Sequence, residues 1–535
     1  MPAFSANPAA IDRPDGIVEL AEMPLGSTFF SPDLAPVNRA GRRWGMKDIA
    51  VLWISMSACI PTYMLASGLI NGGMNWWQAV LTIFLGNVIV LIPMVLNAHA
   101  GTRYGIPFPV YCRASFGILG ANVPAMLRAL VACGWFGIQT WIGGGAIYRI
   151  FTAFIPSWDQ LPHYFGDAGN PASGVNIAQL GCFFAFWLIN MWVIYMGIES
   201  IRILLNIKAP LLILLGVALL AWAYFAAGGF GEMLSRPSQF APGQPQEGKF
   251  WGFFILALTG NVGFWATLAL NIPDFSRYAH SQRDQVWGQA LGLPTTMGLY
   301  SFIGVAVTSA AFVIYPNLPP EQKQNLWDPI FLLSLFPNKA VLVFAMCSLA
   351  LATLATNIAA NVVSPANDFA HLWPRVITFR IGGLITGIIG IFIQPWRLLA
   401  NAAVYIGKWL VGYSSLLGAV GGVLIADYFV IRRMRLNQAG LYEKNGPYWY
   451  AGGFNLLALI SLLAGIGLCV PGFLAAVGVL ALAKDTTEAA AALPRIADFW
   501  GDLYNFAWFT SFGTAFVLYV LLMLLFSRQR IASEK

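Results

Sequence analysis

The sequence predicts an all-α polytopic membrane protein with twelve transmembrane helices, and three observations carry that prediction. Only 10% of the 535 residues are Asp, Glu, Lys or Arg, while 58% are hydrophobic and 14% aromatic. An ordinary soluble domain carries roughly 25% charged residues, so this chain has too little polar surface to cover the domains it would form in water. The hydrophobic residues also fall into runs of about 20, the length at which a helix crosses roughly 30 Å of hydrocarbon. Third, the basic residues gather on one side of those runs. A disordered chain is excluded, and a water-soluble enzyme is disfavoured.

In chain order the runs are Ile49–Ile70, Ala79–Leu96, Val123–Phe154, Ile177–Met196, Ala209–Ala227 and Phe250–Leu270, then Ala290–Ile314, Ala340–Val363, Ile381–Ile393, Ala403–Ile431, Phe454–Leu482 and Tyr504–Phe526. Twelve crossings put both termini on one side. Of the 30 basic residues, twenty fall on that side, including Arg39, Arg42, Arg43, Arg113, Arg277 and Arg432, and seven fall opposite, including Arg236 and Arg397. Arg128, Arg149 and Lys408 lie within helices or at their ends. An excess of Lys and Arg marks the cytoplasmic side, so both termini are expected in the cytoplasm of a multi-pass protein of the plasma membrane. The same bias explains the net charge of +7 without a nucleic-acid partner. The six cysteines lie mostly in or beside apolar runs, with neither metal-ligand nor disulfide spacing. Residues 1–45 lack a signal-peptide pattern and read as a cytoplasmic tail without fixed structure before Arg39.

Spans one to five (46–227) and six to ten (250–435) occupy similar lengths. Because five is odd, the second set starts from the opposite face, which makes an inverted pair. Two peripheral helices (450–527) and a short cytoplasmic tail (528–535) follow. The first helix of each set is interrupted, by Cys59-Ile60-Pro61-Thr62 in one and by Gly260-Asn261-Val262-Gly263 in the other. Proline removes a donor and clashes with the preceding turn. Matched interruptions in two halves point to a binding site at the bilayer midplane, although Gly and Pro also make plain packing kinks in membrane helices.

Spans one, three, six and eight carry no ionisable residue near their centres, and a mid-bilayer charge usually marks a charged ligand or a proton path. The substrate is therefore expected to be neutral. His99, His163, His280 and His371 are scattered without ligand spacing, and no nucleophile-elbow or phosphate-loop motif is present. Aromatic faces and amides are what these spans offer instead. Trp135 and Gln139 share a helix face in span three, Trp265 follows the glycine break in span six, and Asn357 and Asn361 share a face in span eight. An indole stacks on a planar ring for about 1–3 kcal/mol. An amide presents a donor and an acceptor together, which suits the N–H/C=O edge of a pyrimidine, hydantoin or ureide. Against that stand the interfacial belts where most membrane tryptophans sit and the inter-helix bonding that occupies many membrane asparagines.

Four runs carry a family resemblance: Arg113-Ala114-Ser115-Phe116-Gly117, Ala132 to Trp141, Asn271-Ile272-Pro273-Asp274-Phe275-Ser276-Arg277-Tyr278, and Thr356 to Pro365. In this order they resemble the nucleobase:cation symporter-1 family, and Ile60 to Leu65 resembles its bacterial allantoin permease branch. The likeness extends from about Arg43 to Arg435 and continues more weakly to the end. It implies a leucine-transporter-type fold, with a 5+5 inverted repeat plus two peripheral helices. It also implies a secondary active transporter, not an enzyme, that imports a neutral planar heterocycle such as allantoin, uracil, cytosine or hydantoin by cation-coupled alternating access. By motif position Trp135 and Trp265 would sandwich the ring, Gln139 and Asn361 would bond its edge, and the carbonyl near Gly263 would add an acceptor. Cys59 stands where hydantoin-importing members carry a glutamine, which weakens a hydantoin assignment.

The family's sodium site would use carbonyls of Ser55, Ala58 and Ala352 and the hydroxyl of Thr356, but Ala355 replaces an expected second hydroxyl. The resemblance thus leaves Na+ and H+ open as the coupling ion, with no other cofactor. Asp274 and Arg277 read either as an inner gate or as interface anchors. The rival within the same architecture is a symporter for amino acids or another small organic solute. A channel and a membrane enzyme are the other rivals, the latter disfavoured by the sparse catalytic side chains.

Overall fold

The run from Ile49 to Ile70 forms two helices, Met46–Ser57 and Ile60–Asn71, which meet at 57° in the computed structural model. The model describes residues 10–13, 15–165, 174–196 and 198–526. The C-terminal tail 528–535 lies outside the described residues. At the break Cys59 is extended (φ −149°, ψ 161°), and Pro61 opens the second segment. There its missing N–H costs nothing, because the first turn of a helix has no intrahelical acceptor. The sixth span is also broken, but not at its glycines. Helix Phe250–Phe264 runs through Gly260 and Gly263, and the break falls at Trp265, before Ala266–Asn271. The glycines serve close packing instead. A Cβ on Gly263 would sit 2.7 Å from the Leu410 carbonyl oxygen of the tenth span.

Eight further spans are long and apolar enough to cross a membrane, among them Trp76–Tyr104, Asn122–Phe154, Ile177–Met196, Gln282–Ile314 and Val404–Ile431. The fifth and ninth, Ile198–Ala226 and Phe379–Phe392, complete the twelve. The eighth runs from Lys339 to Leu372, well past the expected end at Val363. Pro365 falls in the first turn of a second helical segment, Val363–Leu372, where proline is tolerated. The eleventh is shorter than expected, ending at Ala476, and Gly478 then turns the chain with φ +79°. Outer faces carry exposed Leu214, Phe225, Phe344, Phe392 and Leu525, as helices bordered by lipid tails require.

The twelve spans sort into two groups of four with other elements between them. The first, second, sixth and seventh pack on one another, and so do the third, fourth, eighth and ninth. The second group has apolar clusters of its own, one of Phe136, Phe186, Ile194, Leu354 and Ile358 and another around Ala129, Cys133 and Phe369. Gly137 and Gly390 bring the third and ninth spans together so closely that a Cβ on Gly137 would sit 2.5 Å from the Gly390 carbonyl oxygen. The fifth span touches both groups, and the tenth lies against the sixth and the twelfth.

The N-terminal tail is more ordered than its composition suggests. Strands Ala10–Asp12 and Val18–Leu20 pair as an antiparallel hairpin. Buried Arg42 ties the tail down by donating to the carbonyls of Val37, Thr102 and Val18. Trp44 then exchanges backbone hydrogen bonds with Tyr278 and His280, at the end of the sixth span.

Candidate substrate site

Where the two groups meet, the broken first and sixth helices face the third and eighth across a small chamber. Its lining includes Cys59, Pro61, Trp135, Gln139, Phe264, Trp265, Thr267, Thr356 and Asn361, and its volume is about 30 Å³. That admits a water or two and is far below the roughly 300 Å³ or more of an open ligand pocket. The chamber is narrow. A much larger space of about 1360 Å³ lies between the third, tenth and eleventh spans and includes Trp409 and Tyr413 in its wall. Glu321, Arg397 and Lys408 line it beside Leu127, Leu130, Val131 and Leu416, so its wall mixes charged and apolar side chains.

Of the residues singled out from the sequence, Trp135, Gln139, Trp265, Asn361 and Thr356 line this chamber together, and Gly263 does not. The two indoles do not touch. Phe264 stands between them, edge-on to Trp135 at 5.2 Å and to Trp265 at 5.0 Å. Trp53 packs edge-on against the far side of Trp265 at 5.3 Å. Trp135 donates its Nε1–H to Tyr413 Oη at 3.2 Å, and that hydroxyl donates to the Gly263 carbonyl at 2.8 Å. The Gly263 carbonyl is therefore engaged by the tenth span. No sequence motif pointed to Tyr413, because it is 278 residues from its indole partner.

The amides form a chain. Asn361 donates to Asn357 Oδ1 at 3.0 Å, and Asn357 donates to Asn190 Oδ1 at 3.1 Å, Thr140 Oγ1 at 3.2 Å and the Phe136 carbonyl. Asn357 thus holds Asn361 in place from behind, and Asn190 is a contributor that the sequence reading missed. Two polar atoms of the lining have no partner among the described residues, the acceptor Gln139 Oε1 and the donor Trp265 Nε1. Each buried orphan costs about 1–3 kcal/mol until something meets it.

Ser55, Ala58, Ala352 and Thr356 are all buried. Thr356 Oγ1 donates to the Ala352 carbonyl at 2.9 Å, which fixes the hydroxyl with its lone pairs available. The helix break beside Ala58 and the Thr356 hydroxyl suit an alkali cation in kind, and Ala355 contributes no oxygen. Asp274 and Arg277 do not pair through their charged groups. Arg277 donates to the carbonyls of Asp274 and Asp33, and Asp274 Oδ1 accepts the Phe108 N–H at 2.9 Å. A buried pair that the sequence reading overlooked lies nearby: Arg128 Nη1 stands 3.1 Å from Asp368 Oδ2. Its signal was Asp368 itself, passed over because the span was ended at Val363.

The remaining motif runs are structural. Arg113 binds His371 Nε2 and the carbonyls of Leu441 and Phe29, so it staples tail, loop and eighth span together. Gly117 sits at φ +93°, where a Cβ would meet the Gly453 carbonyl oxygen at 2.4 Å.

Two interlocked helix groups, broken helices facing each other, and a narrow aromatic and amide chamber between them define a multi-pass membrane transporter of the inverted-repeat class. The chain belongs to the family of permeases for cytosine/purines, uracil, thiamine and allantoin, whose model matches residues 36–493. It is thus a permease and not an enzyme. It is 43% identical to a purine-uracil permease of Arabidopsis thaliana, over 92% of this chain and 77% of the relative. It is 36% identical to an allantoin permease of Bacillus subtilis (strain 168), over 92% of each. Among solved structures it resembles Mhp1, a nucleobase-cation-symport-1 family transporter in a closed conformation with bromovinylhydantoin bound. That match has a TM-score of 0.70 at 23% identity and covers 94% of this chain and 96% of the other. A Na+-coupled sialic acid symporter shares the fold at a TM-score of 0.53 and 14% identity, over 91% of each chain.

Proposed function

We propose that the protein imports a neutral planar heterocycle, allantoin or a nucleobase such as uracil, by cation-coupled alternating access across the plasma membrane, with both termini in the cytoplasm. One observation carries the reading: a narrow chamber between two helix groups is walled by two indoles and holds a buried acceptor, Gln139 Oε1, and a buried donor, Trp265 Nε1, without partners among the described residues. A flat molecule with alternating N–H and C=O groups meets both and stacks on the rings. The printed names of the relatives, purine-uracil and allantoin permease, agree with that chemistry.

In this reading the ring displaces Phe264 from between Trp135 and Trp265. Gln139 and Asn361 bond the ring's polar edge, and Asn357 keeps Asn361 aimed. Closure is completed when Tyr413 of the tenth span bridges Trp135 and the Gly263 carbonyl. If the coupling cation is Na+ and not H+, the residues to hold it are Ser55, Ala58, Ala352 and Thr356, where the first and eighth spans meet. An amino-acid symporter is the poorer fit, because no charged side chain lines the chamber and Pro61 lacks the N–H that a carboxylate would seek.

The test is uptake of a labelled panel into proteoliposomes with sodium and pH gradients imposed separately. Saturable accumulation of allantoin or uracil, competed by neutral planar rings and not by leucine or glycine, is expected. Strong competition by amino acids would overturn the reading.

A further inference from the structure

Beneath the chamber, on the side where the N-terminal tail packs, lies a buried charge cluster that takes no part in holding substrate. The Arg128 and Asp368 side chains are both 0% exposed, and they share one contact, Nη1 to Oδ2 at 3.1 Å. Among the described residues Asp368 Oδ1, Arg128 Nε and Asp274 Oδ2 have no hydrogen-bond partner. Asp274 of the sixth span faces the same pair. A carboxylate oxygen shut away from water without a donor is unfavourable as an anion, and a proton on it removes most of the penalty.

The pair is connected to the chamber. Thr267 lines the chamber, and Asn271 lies one turn further along the sixth span. With its amide oriented to satisfy both ends, Asn271 donates to the Thr267 carbonyl at 2.6 Å and accepts from Arg128 Nη2 at 3.0 Å. Asn271 and Asp274 belong to one helix group, while Arg128 and Asp368 belong to the other. Moving the groups apart on this side therefore takes Asn271 and Asp274 away from Arg128.

We infer that Asp368 carries the coupling proton, so that proton entry drives this permease; the inference rests on the import reading above and adds the identity of the ion. In the closed state Asn271 holds one arm of the guanidinium and Asp274 shares its charge. Asp368 is left half-paired and carries its proton on Oδ1. Opening toward the tail side removes both competitors, and the freed N–H groups of Arg128 turn to Asp368. The O–H bond then breaks, the proton passes to entering water, and the carboxylate stays on the protein. In the state open to the other side, water in the chamber returns a proton along the Thr267 and Asn271 side.

The elements packed against the Asp368 helix, and the sixth span beside it, carry other titratable and charged groups, and among the described residues no hydrogen bond joins any of them to Asp368. They are Cys133 on the third span, Cys112 and Arg113 on the helix Phe108–Phe116, Asp33 on the tail, Arg277 on the sixth span, Arg380 on the ninth and His371 on its own helix. Arg113 and Arg277 are engaged by the bonds already described, and Arg380 stacks on Tyr195 at 5.3 Å. His371 accepts from Arg113 at Nε2 and shares Nδ1 with Asn122 Oδ1, an arrangement that needs a neutral ring.

The test uses the full chain in weakly buffered proteoliposomes with a trapped pH dye, and allantoin and uracil as probes. Wild-type uptake is expected to acidify the lumen. For one proton per substrate, accumulation should rise about tenfold per pH unit of inside-alkaline gradient, with no further rise from a sodium gradient. Asp368→Asn should lose that accumulation while still exchanging internal for external label, and Asp368→Glu should regain it. Uptake without acidification, or gradient-driven accumulation by Asp368→Asn, overturns the inference and leaves the import reading standing. If Asp368→Asn loses exchange as well, wild-type acidification decides alone. Failure of both probes under every gradient overturns the import reading, and this inference with it.

Discussion

Asn357 and Tyr413 never need to touch substrate, yet the geometry makes each necessary. Asn357 fixes the direction of Asn361 through a 3.0 Å bond, with Asn190 and Thr140 behind it. Asn357→Ala should raise the substrate KM about tenfold, the equivalent of about 1.4 kcal/mol, with normal delivery to the membrane; an unchanged KM would remove its positioning role. Tyr413→Phe deletes one hydroxyl that both accepts from Trp135 and donates to the Gly263 carbonyl. It should speed release of bound substrate several-fold, measurable by washout of bound label. The amide and indole pattern was legible in the sequence because residues four apart on a helix share a face. The bridge to Tyr413 was not, because only folding brings a residue of the tenth span to the third and sixth. The bond from Tyr413 to the Gly263 carbonyl was hidden for the same reason.

At the scale of elements, proline and glycine determined what could be read. Pro61 placed the first break correctly, since proline favours the first turn of a helix, just after a break. Gly260 and Gly263 misled, because a glycine permits a break but equally permits close helix contact, and here the backbone of the tenth span lies against them. The end of the eighth span was misplaced in the other direction. The span was ended at Val363, but a further helical segment starts there, accepts Pro365 in its first turn and buries Asp368. Close packing gives a prediction of its own. Gly137→Ala should lower the thermal midpoint of the purified protein, at a cost of about 1–3 kcal/mol, because the added Cβ would meet backbone that cannot step aside. An unchanged midpoint would mean that the third and ninth spans are looser than they look.

Over the whole molecule, the membrane class and the twelve spans followed from composition and run length, which the bilayer constrains strongly. The division into two groups of four did not, because it depends on which lipid-like faces meet. That division is what allows one chamber to open to either side. Asn271 and Ser364 bond each other across it. A disulfide between Asn271→Cys and Ser364→Cys should therefore halt uptake, and reduction should restore it. Transport by the oxidised pair would show that the groups do not part there. The central claim is that two indoles and a set of amides hold a flat uncharged molecule between these groups. Equilibrium binding of labelled allantoin and uracil to purified wild-type protein, Trp135→Ala and Asn361→Ala tests it most directly. Saturable wild-type binding, weakened about tenfold or more in each variant, is the predicted result, consistent with about 1–3 kcal/mol for a lost ring contact. Equal affinity in all three proteins would contradict it.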